Sequence, residues 1–297
     1  MKLQKEISVI RVPLWYGSDK QGVDLAPDLL SVALEKEYSS AFAQTINISI
    51  PDSQQELPKV AHEKHLGSIV RVNQDLAQIV TQQLCNNHFV LTIGGDHAIG
   101  LGTVSGSLQF DENIGLIWFD AHGDMNTETT SPTGNIHGMP VAALMGLCET
   151  ELNNIPRHHI SPKNIFWIGA RDLDAGEKEL VEKLHLNVYS TEQIHEAGMN
   201  AIMKDVKTKM EQQGIKNIHL SFDVDAFDPK LFPATGVKVQ NGLWMDDFET
   251  FVNNIPTLPQ MIALDFVEYN PLMDNATMDC KAISIQFINN LLRKIMA

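Results

Sequence analysis

The chain has 297 residues, 43% of them hydrophobic and 20% charged, and a formal net charge of −15. That balance suits a globular protein with a substantial core and disfavours nucleic acid or an anionic membrane as main partner. Its three cysteines, Cys85, Cys148 and Cys280, have no paired spacing, which argues against a disulfide framework or a zinc ribbon.

From the N-terminus, "MKLQKEISVI" lacks the apolar stretch of a secretory signal, and no later run reaches the roughly 18 apolar residues of a membrane span. With the unpaired cysteines, this predicts a cytoplasmic protein. Strands are expected at 7–15 and 45–50, a helix over 58–84, and strands at 88–95 and 114–120. A helix over 137–147 follows, then strands at 164–170 and 186–190 separated by a helix over 175–185. The last third alternates a helix over 199–213, strands at 217–225 and 261–269, and a helix over 276–295. Several strands are continuous apolar runs, as expected when both faces of a parallel sheet are covered. The alternation predicts an α/β fold with a mainly parallel central sheet. No linker or repeat interrupts it, so residues 1–297 are read as one domain.

Acids and histidines end four of these strands: "GGDH" (94–97), "DAHGD" (120–124), "DVDAFD" (223–228) and "DFVEYN" (265–270). In open parallel sheets, ligands gather beyond the carboxyl ends of the strands. Read as extended chain, Asp120, His122 and Asp124 point to one side, as do Asp223 and Asp225. With His97 they make four carboxylates and two imidazoles. Without cations such a cluster would repel itself or hold protons. Two divalent ions would balance the acids. An oxygen-rich set with imidazole and no thiolate suits Mn²⁺, with zinc, cobalt and iron left open. Paired metals lower the pKa of water, so the chemistry indicated is metal-assisted hydrolysis. A single DxD is usually a turn or cap, but four such motifs at four strand ends form a constellation. Elsewhere the plainer readings hold. "HEKH" (62–65) lacks zinc-protease spacing, "RHH" (157–159) reads as a polar loop, and the 12 methionines as core filler.

These motifs, together with "GVDLAP" (22–27), "GNIHGMP" (134–140) and "VEYNP" (267–271), resemble in order those of the ureohydrolases, and arginases above all. The resemblance implies a three-layer α/β/α fold and two Mn²⁺ per subunit. One ion would be held by His97, Asp120, Asp124 and Asp223, and the other by Asp120, His122, Asp223 and Asp225. A bridging hydroxide would attack the guanidinium of L-arginine, giving L-ornithine and urea. His137 matches the family's acid/base, Glu268 the carboxylate that holds the guanidinium, and Asp124 and Asp225 the candidates for protonating the leaving amine. Asn126, Thr133 and Asn135 match positions that receive the α-carboxylate. Asp174 and Glu177, in "RDLDAGE" (171–177), match the α-ammonium loop. The resemblance further implies a homotrimer or homohexamer.

One stretch departs from the family pattern. "ATGVKV" (234–239) places Val237 where the family has threonine and Lys238 where it usually has proline. Arg11 and Ala98 are milder departures, standing where relatives often carry glycine and serine. Valine keeps the shape but not the hydroxyl, so the alternatives are another ureohydrolase (agmatinase, guanidinobutyrase or formiminoglutamase) or a weakly active arginine-binding member. A two-metal phosphatase would need lysine or arginine beside the metals, and these loops are acidic and amide-rich.

Overall fold

A strand forms at each of the eight expected places in the computed structural model, the second shifted to Phe42–Asn47 from the expected 45–50; the structure describes residues 5–38, 40–52, 64–275 and 278–296. The strands are β1 (Ile7–Val12), β2 (Phe42–Asn47), β3 (Phe89–Gly94), β4 (Gly115–Phe119), β5 (Ile165–Ala170), β6 (Asn187–Ser190), β7 (Asn217–Asp223) and β8 (Gln260–Val267). All neighbours are parallel, in the order β2-β1-β3-β8-β7-β4-β5-β6. Parallel pairing needs a crossover between strands, and the intervening helices supply it on both faces.

The helices among the described residues are α1 (Ala26–Tyr38), α2 (Leu66–Cys85), α3 (Gly100–Phe110), α4 (Pro140–Leu144), α5 (Ala175–Leu184), α6 (Thr191–Ala197), α7 (Met199–Gln212), α8 (Met245–Asn254) and α9 (Cys280–Met296). Alternate strand residues feed two cores. Ile7, Phe89, Phe119, Leu220 and Phe266 join α1, α7, α8 and α9 on one face. Val12, Val90, Trp118 and Ala263 join α2, α3 and α4 on the other. The result is the expected α/β/α sandwich.

Helix boundaries were less legible. Residues 58–63 of the helix expected over 58–84, and 276–277 of that over 276–295, lie outside the described residues, as do His62 and Glu63 of "HEKH". The helix expected over 137–147 is a 3-10 turn at Ile136–Gly138 followed by the short α4, with Pro140 opening it. Helices α1, α3, α6 and α8 had not been anticipated. In α3, "GLGTVSGSLQF", glycine and hydroxyl residues hide a helix because they are poor helix formers. Packing explains their presence: a Cβ on Gly102 would lie 2.5 Å from the Asn73 carbonyl oxygen, and one on Gly106 2.6 Å from Val80 Cβ. The glycines let α3 approach α2 closely, and Asn73 Oδ1 accepts from Gly102 N at 2.6 Å. Gly106→Ala is therefore expected to destabilise the protein by about 1–3 kcal/mol through overpacking, read as a lowered Tm.

Candidate metal centre and substrate pocket

The four motifs end β3, β4, β7 and β8, which are adjacent in the sheet, so the fold brings them together at one edge. The side chains do not converge by strand alternation, however. β4 stops at Phe119, the chain turns, and Asp124 has a left-handed backbone with φ 50°. β7 ends at Asp223, whose side chain caps a 3-10 turn by accepting from Asp225 N at 2.7 Å. Turns rather than extended chain aim these groups.

His97 Nδ1 lies 2.9 Å from Asp120 Oδ2, 3.2 Å from Asp124 Oδ2 and 3.3 Å from Asp223 Oδ2. His122 Nδ1 lies 2.9 Å from Asp225 Oδ2 and 3.4 Å from Asp120 Oδ1. Ligating atoms of His97, Asp120 and Asp223 fall within 4.8 Å of one another, as do those of Asp120, His122 and Asp225. Asp120 belongs to both groups. His97 and the four aspartates are buried, and the His97 ring stacks on Trp118 with centroids 3.9 Å apart and planes 4° from parallel.

The electrostatics identify what this arrangement suits. Burial, then repulsion by Asp120, raises the carboxyls of Asp124 and Asp225, the latter to about 6. Burial, then Asp225 and Asp120, raises Asp223 well above the carboxylate range. For Asp120 burial is outweighed by the hydrogen bonds of His122 and His97, which lower it. The imidazoles follow the opposite balance. Burial lowers them, but carboxylate hydrogen bonds lift His97, and attraction to Asp225 above all lifts His122. Three carboxylate oxygens around one imidazole nitrogen cannot all be satisfied by one proton, whereas a divalent cation satisfies them together. The donor set therefore fits divalent, oxygen-preferring metal ions.

Above this floor lies a cavity of about 290 Å³. Of the expected site residues, all but His97 and Asp120 line it: His122, Asp124, Asn126, Thr133, Asn135, His137, Asp174, Glu177, Asp223, Asp225 and Glu268. Val237 lines it too, together with Ser131, Pro132 and Asp172, which sequence reasoning had passed over. Seven carboxylates face the cavity, and no lysine or arginine among the described residues lines it.

Glu268 also has a left-handed backbone, φ 63°. Its Oε1 accepts from His97 N at 2.9 Å and lies 3.1 Å from His137 Nδ1. Burial would raise Glu268, but the His137 hydrogen bond prevails and lowers it. His137 rises in turn, because its bond to Glu268 outweighs burial. At the other end, Asn126 Nδ2 donates to Asp174 Oδ2 at 2.8 Å. Glu177 accepts from Met125 N and Asp174 N, so it ties α5 to the 125–126 backbone, and burial pushes it up to about 7. Asn135 Nδ2 donates to the Ser18 carbonyl at 3.1 Å.

Two groups, buried Asp96 and half-buried Arg171, hold these loops. Asp96 accepts from Gly17 N at 2.7 Å and Ser18 N at 3.2 Å, while the Gly17 carbonyl accepts from His137 N. Arg171 donates to the carbonyls of Gly169, Phe227 and Val239, tying the turn after β7 to the Val237 loop.

The arginase-family profile matches residues 5–296. The chain belongs to the arginase family. It is 34% identical to an arginase from Entamoeba histolytica, over 91% of this chain and 92% of that one. To the Bacillus subtilis arginase it is 33% identical, over 98% and 99%. Among solved structures it is similar to the E. histolytica arginase in complex with L-ornithine, with TM-score 0.89, 32% identity and coverage of 98% and 99%. The Bacillus caldovelox arginase gives TM-score 0.90 at 30% identity, covering 97% and 98%.

The raised acids make the site pH-sensitive. Folded but without metal, Asp124, Asp223 and Asp225 keep protons that the unfolded chain releases above about pH 4. His97 and His122 likewise keep protons that the unfolded chain releases above about pH 6.5. Both effects reduce stability as pH rises. The lowered Asp120 and Glu268 act in the other direction, but only below about pH 4. Chelator-treated protein should melt at a lower temperature at pH 8 than at pH 5.5, and saturating Mn²⁺ should raise Tm more at pH 8. A larger metal-induced shift at pH 5.5 would contradict this account.

Proposed function

We propose that this protein is a manganese-dependent arginase that hydrolyses L-arginine to L-ornithine and urea. The observation that carries the reading is the polarity of the pocket: seven carboxylates on one cavity, no lysine or arginine facing it among the described residues, and amide and hydroxyl groups at one end. Such a pocket favours a substrate with a cationic guanidinium, a cationic ammonium and one carboxylate. It is poorly suited to a phosphate ester.

In this reading His97, Asp120, Asp124 and Asp223 would hold one Mn²⁺, and Asp120, His122, Asp223 and Asp225 would hold the other. When bound, the metal pair supplies the Lewis acidity that lowers the pKa of water toward neutrality. Glu268 receives the planar guanidinium on its carboxylate, and its fixed left-handed backbone sets that carboxylate's direction. His137, bonded to Glu268 and raised by it, stands at the pocket wall as proton donor and acceptor. Asp225 or Asp124 passes a proton to the leaving amine. Asn126, Thr133 and Asn135 receive the α-carboxylate. Asp174, with Glu177 behind it, faces the α-ammonium.

The reading includes cytoplasmic residence and assembly as a homotrimer or homohexamer. No helix of the described residues is long and apolar enough to cross a membrane.

Purified protein loaded with Mn²⁺ should release urea from L-arginine far faster than from agmatine or guanidinobutyrate, with about two metal ions per chain measured on the same sample. Equal or preferred turnover of agmatine would overturn the substrate while sparing the family. Val237 supports a second reading, a low-activity member, because an isopropyl group faces the pocket where a hydroxyl is usual. Val237→Thr is expected to raise kcat/KM for arginine by about tenfold, the rate equivalent of one hydrogen bond of about 1.4 kcal/mol. An unchanged value would show that the hydroxyl is dispensable here.

A further inference from the structure

The face of His97 turned away from the aspartates is also engaged. Its Nε2 lies 2.9 Å from Ser221 Oγ, and Ser221 Oγ lies 3.4 Å from Asp265 Oδ2. The same oxygen of Asp265 accepts from Thr103 Oγ1 and from His219 Nε2, the latter at 2.9 Å, and Ser107 Oγ lies 2.8 Å from His219 Nδ1. Thr103 and Ser107 sit on α3, His219 and Ser221 on β7 and Asp265 on β8, where Ser221 and Asp265 are cross-strand partners. All five side chains are 0% exposed. Polar groups buried in an apolar layer are costly unless their hydrogen bonds are made, so a connected run of five requires an explanation.

The direction of the hydrogen bonds supplies one. A carboxylate only accepts, so Thr103, His219 and Ser221 must all donate to Asp265. We infer that the Ser221 hydrogen is directed to Asp265, which leaves Ser221 to accept from His97 Nε2–H. A neutral His97 then carries its proton on Nε2 and its lone pair on Nδ1, the nitrogen that faces Asp120, Asp124 and Asp223. Trp118, stacked on the ring, fixes its plane, and Gly100 admits that indole, since a Cβ there would lie 2.8 Å from it.

We propose that Asp265, acting through Ser221, is a positioning residue that fixes the tautomer and direction of His97 and so prepares one of the two metal positions. Thr103 and His219 hold Asp265 in place for this task. The proposal rests on the reading of His97 as a metal ligand. It predicts an asymmetry, because the second metal position contains no His97 and should be insensitive to this network.

The test is Mn²⁺ binding to the full chain by chelator competition, with metal content per chain and thermal unfolding measured on the same samples. Ser221→Ala removes the acceptor with little change in volume, Ser221→Thr keeps the hydroxyl, and Asp265→Asn introduces a donor at the hub. Ser221→Ala and Asp265→Asn should each weaken one metal by about 10–100-fold, leaving one tightly bound ion per chain, while Ser221→Thr stays close to the parent. Should Asp265→Asn fail to fold, the pair at position 221 decides. The proposal is overturned if Ser221→Ala keeps both metals at parental affinity. It is also overturned if both metals weaken equally, or if Ser221→Thr loses as much as Ser221→Ala. If the unsubstituted protein binds no Mn²⁺, the metal reading itself fails, an outcome distinct from the others.

Discussion

Like charge held out of water is the constraint on which this structure depends. Asp96, Asp120, Asp124, Asp223, Asp225 and Glu268 are all buried at one edge of the sheet. Carboxylates so placed must be protonated, paired with imidazolium or matched by cations. The protein alone does the first two at once, with raised acids beside raised histidines. Metal ions would resolve the same conflict by replacing protons. Metal affinity and stability are therefore two expressions of a single electrostatic problem.

The backbone holds this arrangement in place through local strain. Asp124 and Glu268 both adopt left-handed conformations, which cost non-glycine residues about 1–3 kcal/mol when over-determined by their surroundings. Each is surrounded by bonds that hold it. The Asp124 carbonyl accepts from Val141 N at the start of α4, and Glu268 N donates to the Gly95 carbonyl at the end of β3. Both residues reach into the pocket.

Selectivity rests on a different layer of the structure. The pocket wall is built from loops pinned by Asp96, Glu177 and Arg171, each bonded chiefly to backbone. Such groups fix where the side chains of Asn126, Asn135 and Asp174 stand on the cavity. Val237 belongs to this wall and not to the cluster of acids and histidines beneath it.

The sequence alone indicated the eight strands, because short β-rich runs, several of them continuously apolar, are bounded by turns. It also pointed to the cluster of acids and histidines, because four strand ends carry them. Glycine-rich α3 was hidden, since its helical state is stabilised by close contact with α2 and not by local propensity. The alternation read into "DAHGD" and "DVD" brought the right residues together by the wrong geometry, because single residues in αL and 3-10 turns leave no periodic signal. Tertiary structure alone decided the strand order that makes β3, β8, β7 and β4 neighbours, and with it the meeting of His97, Ser221 and Asp265. The physical reason is that apolar periodicity reports how a segment is buried, whereas which segments meet depends on the packing of the entire sheet.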